Sequence, residues 1–132
     1  MRVAMLDHVS LLVRDYATVK PFYEKILAPL GIKCLMEYGG WGGFGRERPQ
    51  LWLGSAPPSF WSRAHRAGAA PLHVALTARS TEEVDAFHAA AIAAGARDHG
   101  KPGLRPEYHP GYYGAFVLDA DDNNIEAVFH GK

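Results

Sequence analysis

One cysteine, Cys34, stands alone among 132 residues, so no disulfide can form within the chain. That usage fits a reducing compartment, and the expected setting is the cytoplasm. No apolar run approaches the roughly 20 residues that cross a bilayer, so no membrane partner is expected. The apolar start, residues 1–13, is broken by Asp7 and His8 and lacks a small-residue cleavage site, so a signal peptide is not expected either. Neither sign of charge is in excess. Fourteen basic residues face fourteen acidic ones without a basic stripe, which argues against nucleic acid as a partner. What remains is an ordinary globular composition, 48% apolar and 21% charged, in a chain long enough for one domain with its own core. Seven histidines are many for this length, and their spacing is informative.

The chain reads as two copies of one unit. At an offset of 65 residues, His8 meets His73, Val9 meets Val74, Leu11 meets Leu76, Arg14 meets Arg79, Val19 meets Val84 and Phe22 meets Phe87. With a one-residue slip, Gly31 meets Gly95. Each copy opens with a strand of period two. Over 6–14, Val9, Leu11 and Val13 share one face, and His8, Ser10 and Leu12 the other. In the second copy Val74, Leu76 and Ala78 oppose His73, Ala75 and Thr77. A helix follows in each. Val19, Phe22, Tyr23, Ile26, Leu27 and Leu30 form the first apolar stripe, with Asp15 or Thr18 as cap and Gly31 as end. Pro21 suits only a first turn, so that helix is expected to start near Thr18. The second has Val84, Phe87, Ala91 and Ile92 on one face, Ser80 and Glu83 at capping-box spacing, and Gly95 as its end. Short strands complete the copies near 33–38, 41–46 and 50–54, then near 96–100, 113–119 and 124–130. Asp121 to Asn124 forms the turn of the last hairpin. The pattern is βαβββ twice, as one domain: a first module over 1–54, a linker over 55–70 and a second module over 71–132.

His8 and His73 hold equivalent places on faces turned away from the main apolar stripes. If the copies pack with approximate two-fold symmetry, the two imidazoles converge. Glu126 can complete a site, because a glutamate in an otherwise apolar final strand is costly to bury unless paired or coordinated. Two imidazoles and a carboxylate suit a borderline divalent ion, with positions left for water and substrate. The competing reading is a hydrogen-bonded cluster without metal.

The segments Leu6-Asp7-His8-Val9-Ser10-Leu11-Leu12-Val13-Arg14-Asp15 and Pro71-Leu72-His73-Val74-Ala75-Leu76 resemble the module openings of the vicinal oxygen chelate superfamily. That group holds glyoxalase I, extradiol dioxygenases and bleomycin-resistance proteins. Tyr113 to Asp119, followed by Asn123-Asn124-Ile125-Glu126, resembles its closing hairpin, and the likeness covers essentially the whole chain. It implies an α+β fold of two βαβββ modules in a mixed-sheet open barrel. It also implies a small-molecule substrate, a homodimer, and a metal site at His8, His73 and Glu126 for a divalent ion (Fe, Zn, Ni, Co or Mn). Glyoxalase I-like members carry a fourth ligand, a glutamate in the last strand of the first module. Aligned on the second module, that position holds Trp52, whose indole N–H cannot ligate, and nearby Gln50 offers at most a weak carbonyl. This departure favours a three-ligand, dioxygenase-like site.

The loop 101–112 leads into the closing hairpin and is expected near the metal. His109 is a candidate general acid or base, Tyr113 or Tyr108 a hydrogen-bond donor to an oxygen held at the metal, and Arg105 a partner for a substrate carboxylate or phosphate. Trp52, with Trp41, Phe44 and Trp61, is a candidate lining of an apolar pocket. His88 is expected to be structural, and His65, His99 and His130 to lie on the surface. The leading expectation is a metal-dependent enzyme acting on a small oxygenated substrate, dioxygenase-like or lyase/isomerase. The rival is a metal-free binding protein that sequesters an aromatic or cationic small molecule.

Overall fold

The computed structural model describes residues 4–57 and 61–131. Its elements are β1 (Val9–Leu12), α1 (Tyr16–Leu27), a 3-10 turn (Ala28–Leu30), β2 (Lys33–Tyr38), β3 (Trp41–Gly45) and β4 (Leu51–Gly54). Then follow β5 (His73–Thr77), α2 (Thr81–Ala93), β6 (Arg97–Leu104), β7 (Tyr113–Leu118) and β8 (Asn124–Phe129). They form two open four-stranded mixed sheets, ordered β1-β4-β3-β2 and β5-β8-β7-β6, with β1 and β5 parallel to their partners and the rest antiparallel. This is the α+β, two-module architecture that the repeat implied.

The two modules share a register. Val9 pairs with Leu51 and Ser10 with Trp52, while Val74 pairs with Ile125 and Ala75 with Glu126. The helices lie on one side of the sheets and pack against each other. Between them Leu11, Tyr23, Ile26, Phe44, Leu53, Phe87, Val117 and Ile125 are fully buried, each such apolar side chain contributing about 1.5–3 kcal/mol. The alternate residues of each strand face the other way, and that concave side carries the histidines.

Local differences from the sequence expectation have physical causes. The first strand is four residues long because β4 offers four partners, so His8 lies just before it. Helix α1 starts at Tyr16 with Asp15 at the N-cap position, where its carboxylate accepts from the Thr18 hydroxyl instead of a backbone N–H, and Pro21 sits inside the helix. The proline lacks only the N–H that would reach the Ala17 carbonyl, and the remaining turns continue past it. At α2 the Ser80 hydroxyl accepts from Glu83 N at 3.1 Å, but the Glu83 carboxylate reaches one residue further back, to Arg79 N at 2.8 Å and the Arg79 guanidinium. Strand β6 extends to Leu104, longer than expected, through two register shifts against β7. Within 55–70, residues 58–60 lie outside the described residues; the described part has no strand or helix, and Trp61 packs edge-on against Trp41.

The Arg79 guanidinium beside Glu83 holds its carboxyl below the ordinary value of 4.5. A folded value below the unfolded one stabilises the fold fully above 4.5, and that contribution is lost as pH falls through the folded value. Glu83→Gln should therefore flatten the acid limb of a melting profile recorded from neutral pH downward. Parallel limbs for wild type and variant would remove this pair from the acid response.

Candidate metal centre

The register of β8 puts Asn124, Glu126 and Val128 on the concave side, opposite Leu118, Phe116 and Gly114 of β7. Glu126 is only 2% exposed, and its carboxylate has two partners. His73 Nε2 lies 3.0 Å from Oε1, and the Tyr112 hydroxyl donates to Oε2. Burial and this bond hold the Tyr112 phenol above its ordinary value, so it remains a donor at neutral pH. Gly114 makes the approach possible, since a Cβ there would stand 3.1 Å from Glu126 Oε2 and 3.2 Å from the Tyr112 ring.

His73 is oriented by its other nitrogen. Nδ1 lies 3.1 Å from the Asn124 carbonyl, which can only accept, so Nδ1 carries a proton and Nε2 is the nitrogen turned to Glu126. That nitrogen faces a carboxylate oxygen at 3.0 Å, a contact that needs either a proton or a cation between the two atoms. A proton satisfies the pair, and so does a metal ion: two donors each about 2.1 Å from one ion and at right angles are roughly 3.0 Å apart. The donor set thus fits a divalent ion as the start of a site. Among the described residues no third histidine, cysteine or carboxylate joins them to make a group of three.

His8 is elsewhere. Its imidazole is half exposed, with Nδ1 2.6 Å from Asp7 Oδ1. It shares with His73 a cleft of about 510 Å³ between β1 and β5, lined also by Gln50, Phe44 and Arg46. Arg46 ties the modules across this cleft, donating to the carbonyls of Leu30 (2.9 Å) and Thr77 (2.6 Å).

The loop residues divide. Arg105 folds onto the concave face with its guanidinium 5.5 Å from the Phe116 ring centre, and Phe116 stacks beside His73. Backbone carbonyls of Gly103 and Lys101 hold that guanidinium at 2.9 and 2.8 Å, and no carboxylate pairs with it among the described residues. Tyr108 is exposed and packs edge-on against Tyr112. Tyr113 faces the helices, where its hydroxyl donates to Asp85 at 2.6 Å, because period two turns it away from Glu126. His109 has both ring nitrogens engaged, one with the Pro110 carbonyl and one with His130. Tyr112 was missed by sequence reasoning, although its parity with Gly114 and Phe116 marks it as a neighbour of Glu126. His88 bridges to Asp98 at 2.9 Å, joining α2 to β6.

A model of the Glyoxalase/Bleomycin resistance protein/Dioxygenase superfamily matches residues 5–127. The chain belongs to this superfamily. No curated protein matches it. Among solved structures it is similar to a glyoxalase/bleomycin resistance protein from Albidiferax ferrireducens, with 29% identity, TM-score 0.78, and 96% of this chain and 99% of that one covered. A lactoylglutathione lyase from Agrobacterium tumefaciens shares the fold at 19% identity and TM-score 0.67, with 97% and 94% covered. So does a glyoxalase/bleomycin resistance protein/dioxygenase family enzyme from Burkholderia phytofirmans, also at 19% and 0.67, with 96% and 99% covered. The superfamily binds small molecules and includes enzymes. Within this superfamily fold, Trp52 holds the register place in the first module that Glu126 holds in the second, and its ring lies across Gly43.

Proposed function

We propose that this superfamily member is a metal-dependent enzyme acting on a small oxygenated substrate, with His73 and Glu126 as two ligands and His8 as the third. The observation that carries the reading is His73 Nε2, oriented by its Nδ1–Asn124 bond, 3.0 Å from the buried Glu126 carboxylate. A bound divalent ion would supply Lewis acidity toward substrate oxygens. The chain's own residues would do the rest. Tyr112 holds Glu126 in place and can turn its hydroxyl toward a substrate oxygen. Arg105, braced on Phe116 and without an acidic partner among the described residues, suits a substrate carboxylate or phosphate. Trp52 offers a flat apolar surface on the other module. With Trp52 in place of a fourth carboxylate, the reading favours dioxygenase-like or other lyase/isomerase chemistry over that of glyoxalase I.

The described residues of one chain assemble only part of such a site, so the reading includes a homodimer in which His8 of a second copy completes it. The strand edges support this. Each of β1 and β5 bonds to one neighbour only, leaving a free edge beside its histidine, and Leu6 and Leu72 are exposed next to them. The reading also places the protein in the cytoplasm.

The test uses untagged protein. Wild type should retain close to one equivalent of a divalent ion per chain, and His8→Ala and His73→Ala should each lose it. If the ligands come from two copies, mixing and re-equilibrating the two variants should restore binding in the mixed dimers, which contain one intact site. Failure of wild type to retain any divalent ion beyond what His73→Ala retains would end the enzyme reading in favour of a metal-free binder. The second reading has one observation of its own, since an imidazolium proton satisfies the His73–Glu126 pair as well.

A further inference from the structure

A separate pair of histidines closes the loop 105–112. His109 Nε2 lies 2.9 Å from His130 Nδ1, with the rings stacked 5.2 Å apart at 21°. They are 21 residues apart in sequence, one in the loop and one just past β8. Two glycines bring them together. Gly111 and Gly131 adopt positive φ (89° and 82°), and a Cβ at 131 would stand 3.0 Å from the Gly111 carbonyl oxygen. The Tyr112 ring stands edge-on to both imidazoles, so the same contact holds the residue that reaches Glu126.

One proton holds the pair together, and a metal ion can take its place. His109 Nδ1 lies 2.8 Å from the Pro110 carbonyl, which can only accept, so Nδ1 carries the proton and Nε2 keeps its lone pair. His130 has no other hydrogen bond among the described residues, so moving its proton to Nε2 gives up only the bond to His109, which a shared ion would replace, and Nδ1 becomes a second lone pair. Two imidazoles suit a borderline divalent ion such as nickel or copper(II). Nitrogens about 2.1 Å from one ion are roughly 3.0 Å apart at right angles and roughly 3.4 Å apart in a tetrahedron. The observed 2.9 Å is the length of the hydrogen bond between the rings, and it brings both nitrogens within reach of one ion. His130 is exposed and His109 half-exposed, so water can fill the remaining positions.

We propose that His109 and His130 form a second, two-ligand site for a divalent ion of the nickel or copper(II) type, which clamps the loop 105–112 to the end of β8.

The probe is nickel(II) alone, titrated into untagged protein carrying His73→Ala, so that the centre at Glu126 does not contribute. One equivalent per chain should still bind. In the double variants His73→Ala/His109→Ala and His73→Ala/His130→Ala the dissociation constant should rise at least tenfold. With the ion at about a hundred times its dissociation constant, the melting temperature of His73→Ala should rise by roughly 5 °C or more, and that of the doubles should not. Chymotryptic cleavage after Tyr108 should slow with nickel only where both histidines are present, a readout that checks the clamp in proteins shown by circular dichroism to be folded. Equal nickel binding in His73→Ala and both doubles would overturn the proposal, as would no binding in His73→Ala. Because His73 is removed throughout, neither result depends on the primary centre.

Discussion

Glu126→Gln should weaken divalent-metal binding by more than 100-fold while leaving the melting temperature of the metal-free protein unchanged or higher. Groups that only orient a ligand change metal affinity by about 10–100-fold, and a ligand itself should exceed that range. Tyr112→Phe, which removes the hydrogen bond to Oε2 and touches no proposed ligand atom, should fall inside it. The stability effect has the opposite sign because Glu126 is 2% exposed while its partner His73 is 50% exposed. A carboxylate that far from water is held at a desolvation cost, and a neutral amide of the same shape relieves it. Affinity lost with stability kept is the pattern of a site maintained for binding. If Glu126→Gln instead lowers the melting temperature sharply and leaves metal uptake intact, the carboxylate serves packing and the proposed centre is wrong. Isothermal titration and differential scanning calorimetry on the same preparations separate the two outcomes.

Asp119→Ala should destabilise the fold by about 3–5 kcal/mol, because it strands hydrogen-bond donors that cost about 1–3 kcal/mol each when left unsatisfied. Asp119 is 3% exposed and accepts four hydrogen bonds: from Asp121 N (2.9 Å), Asn123 N (2.8 Å), Asn123 Nδ2 (3.0 Å) and the Tyr23 hydroxyl. Alanine leaves all four donors without that acceptor. Domains of this size have total stabilities of about 5–15 kcal/mol, so the loss should lower the melting temperature by roughly 10–20 °C. Tyr23→Phe removes one donor and leaves the carboxylate three, so it should cost only about 1 kcal/mol. The network also reaches the candidate centre. Asn123 Oδ1 accepts from Leu72 N at 2.9 Å, fixing the residue before His73. A chain of contacts thus runs from α1 in the first module through the β7–β8 turn to the start of β5. Equal, small effects of the two substitutions would show that other contacts fix this turn.

The aspartate pattern of that turn was visible in the sequence as a hairpin signal, but its reach into the first module was not. Tyr23 reads as one more apolar position on the α1 stripe. Only the packing of α1 against the hairpin shows that its hydroxyl is spent on Asp119. Trp52 was more legible. Aligning the final strands by sequence placed it opposite Glu126, and the paired registers put it there. The loop residues were legible only in part. Tyr112 and Tyr113 are adjacent tyrosines with the same composition cue, and strand parity alone separates one that touches Glu126 from one that bonds Asp85. His130, read as an unmatched surface residue, gained a partner because two glycine turns far apart in sequence bring it against His109.

What the sequence determined by itself is the set of features that depend on neighbours a few residues away: two modules, their strand faces, the helix stripes, and the placing of His73 and Glu126 on the concave side. These follow from periods of 2.0 and 3.6, which backbone sterics impose wherever the chain runs. The tertiary structure decided which of those side chains meet. It paired His73 with Glu126 through the parallel register of β5 and β8, chose Tyr112 over Tyr113, and kept His8 apart across a cleft. Such meetings depend on how whole sheets and helices pack, a balance of many small burial and hydrogen-bond terms summed over residues far apart in the chain, and no local pattern encodes that sum.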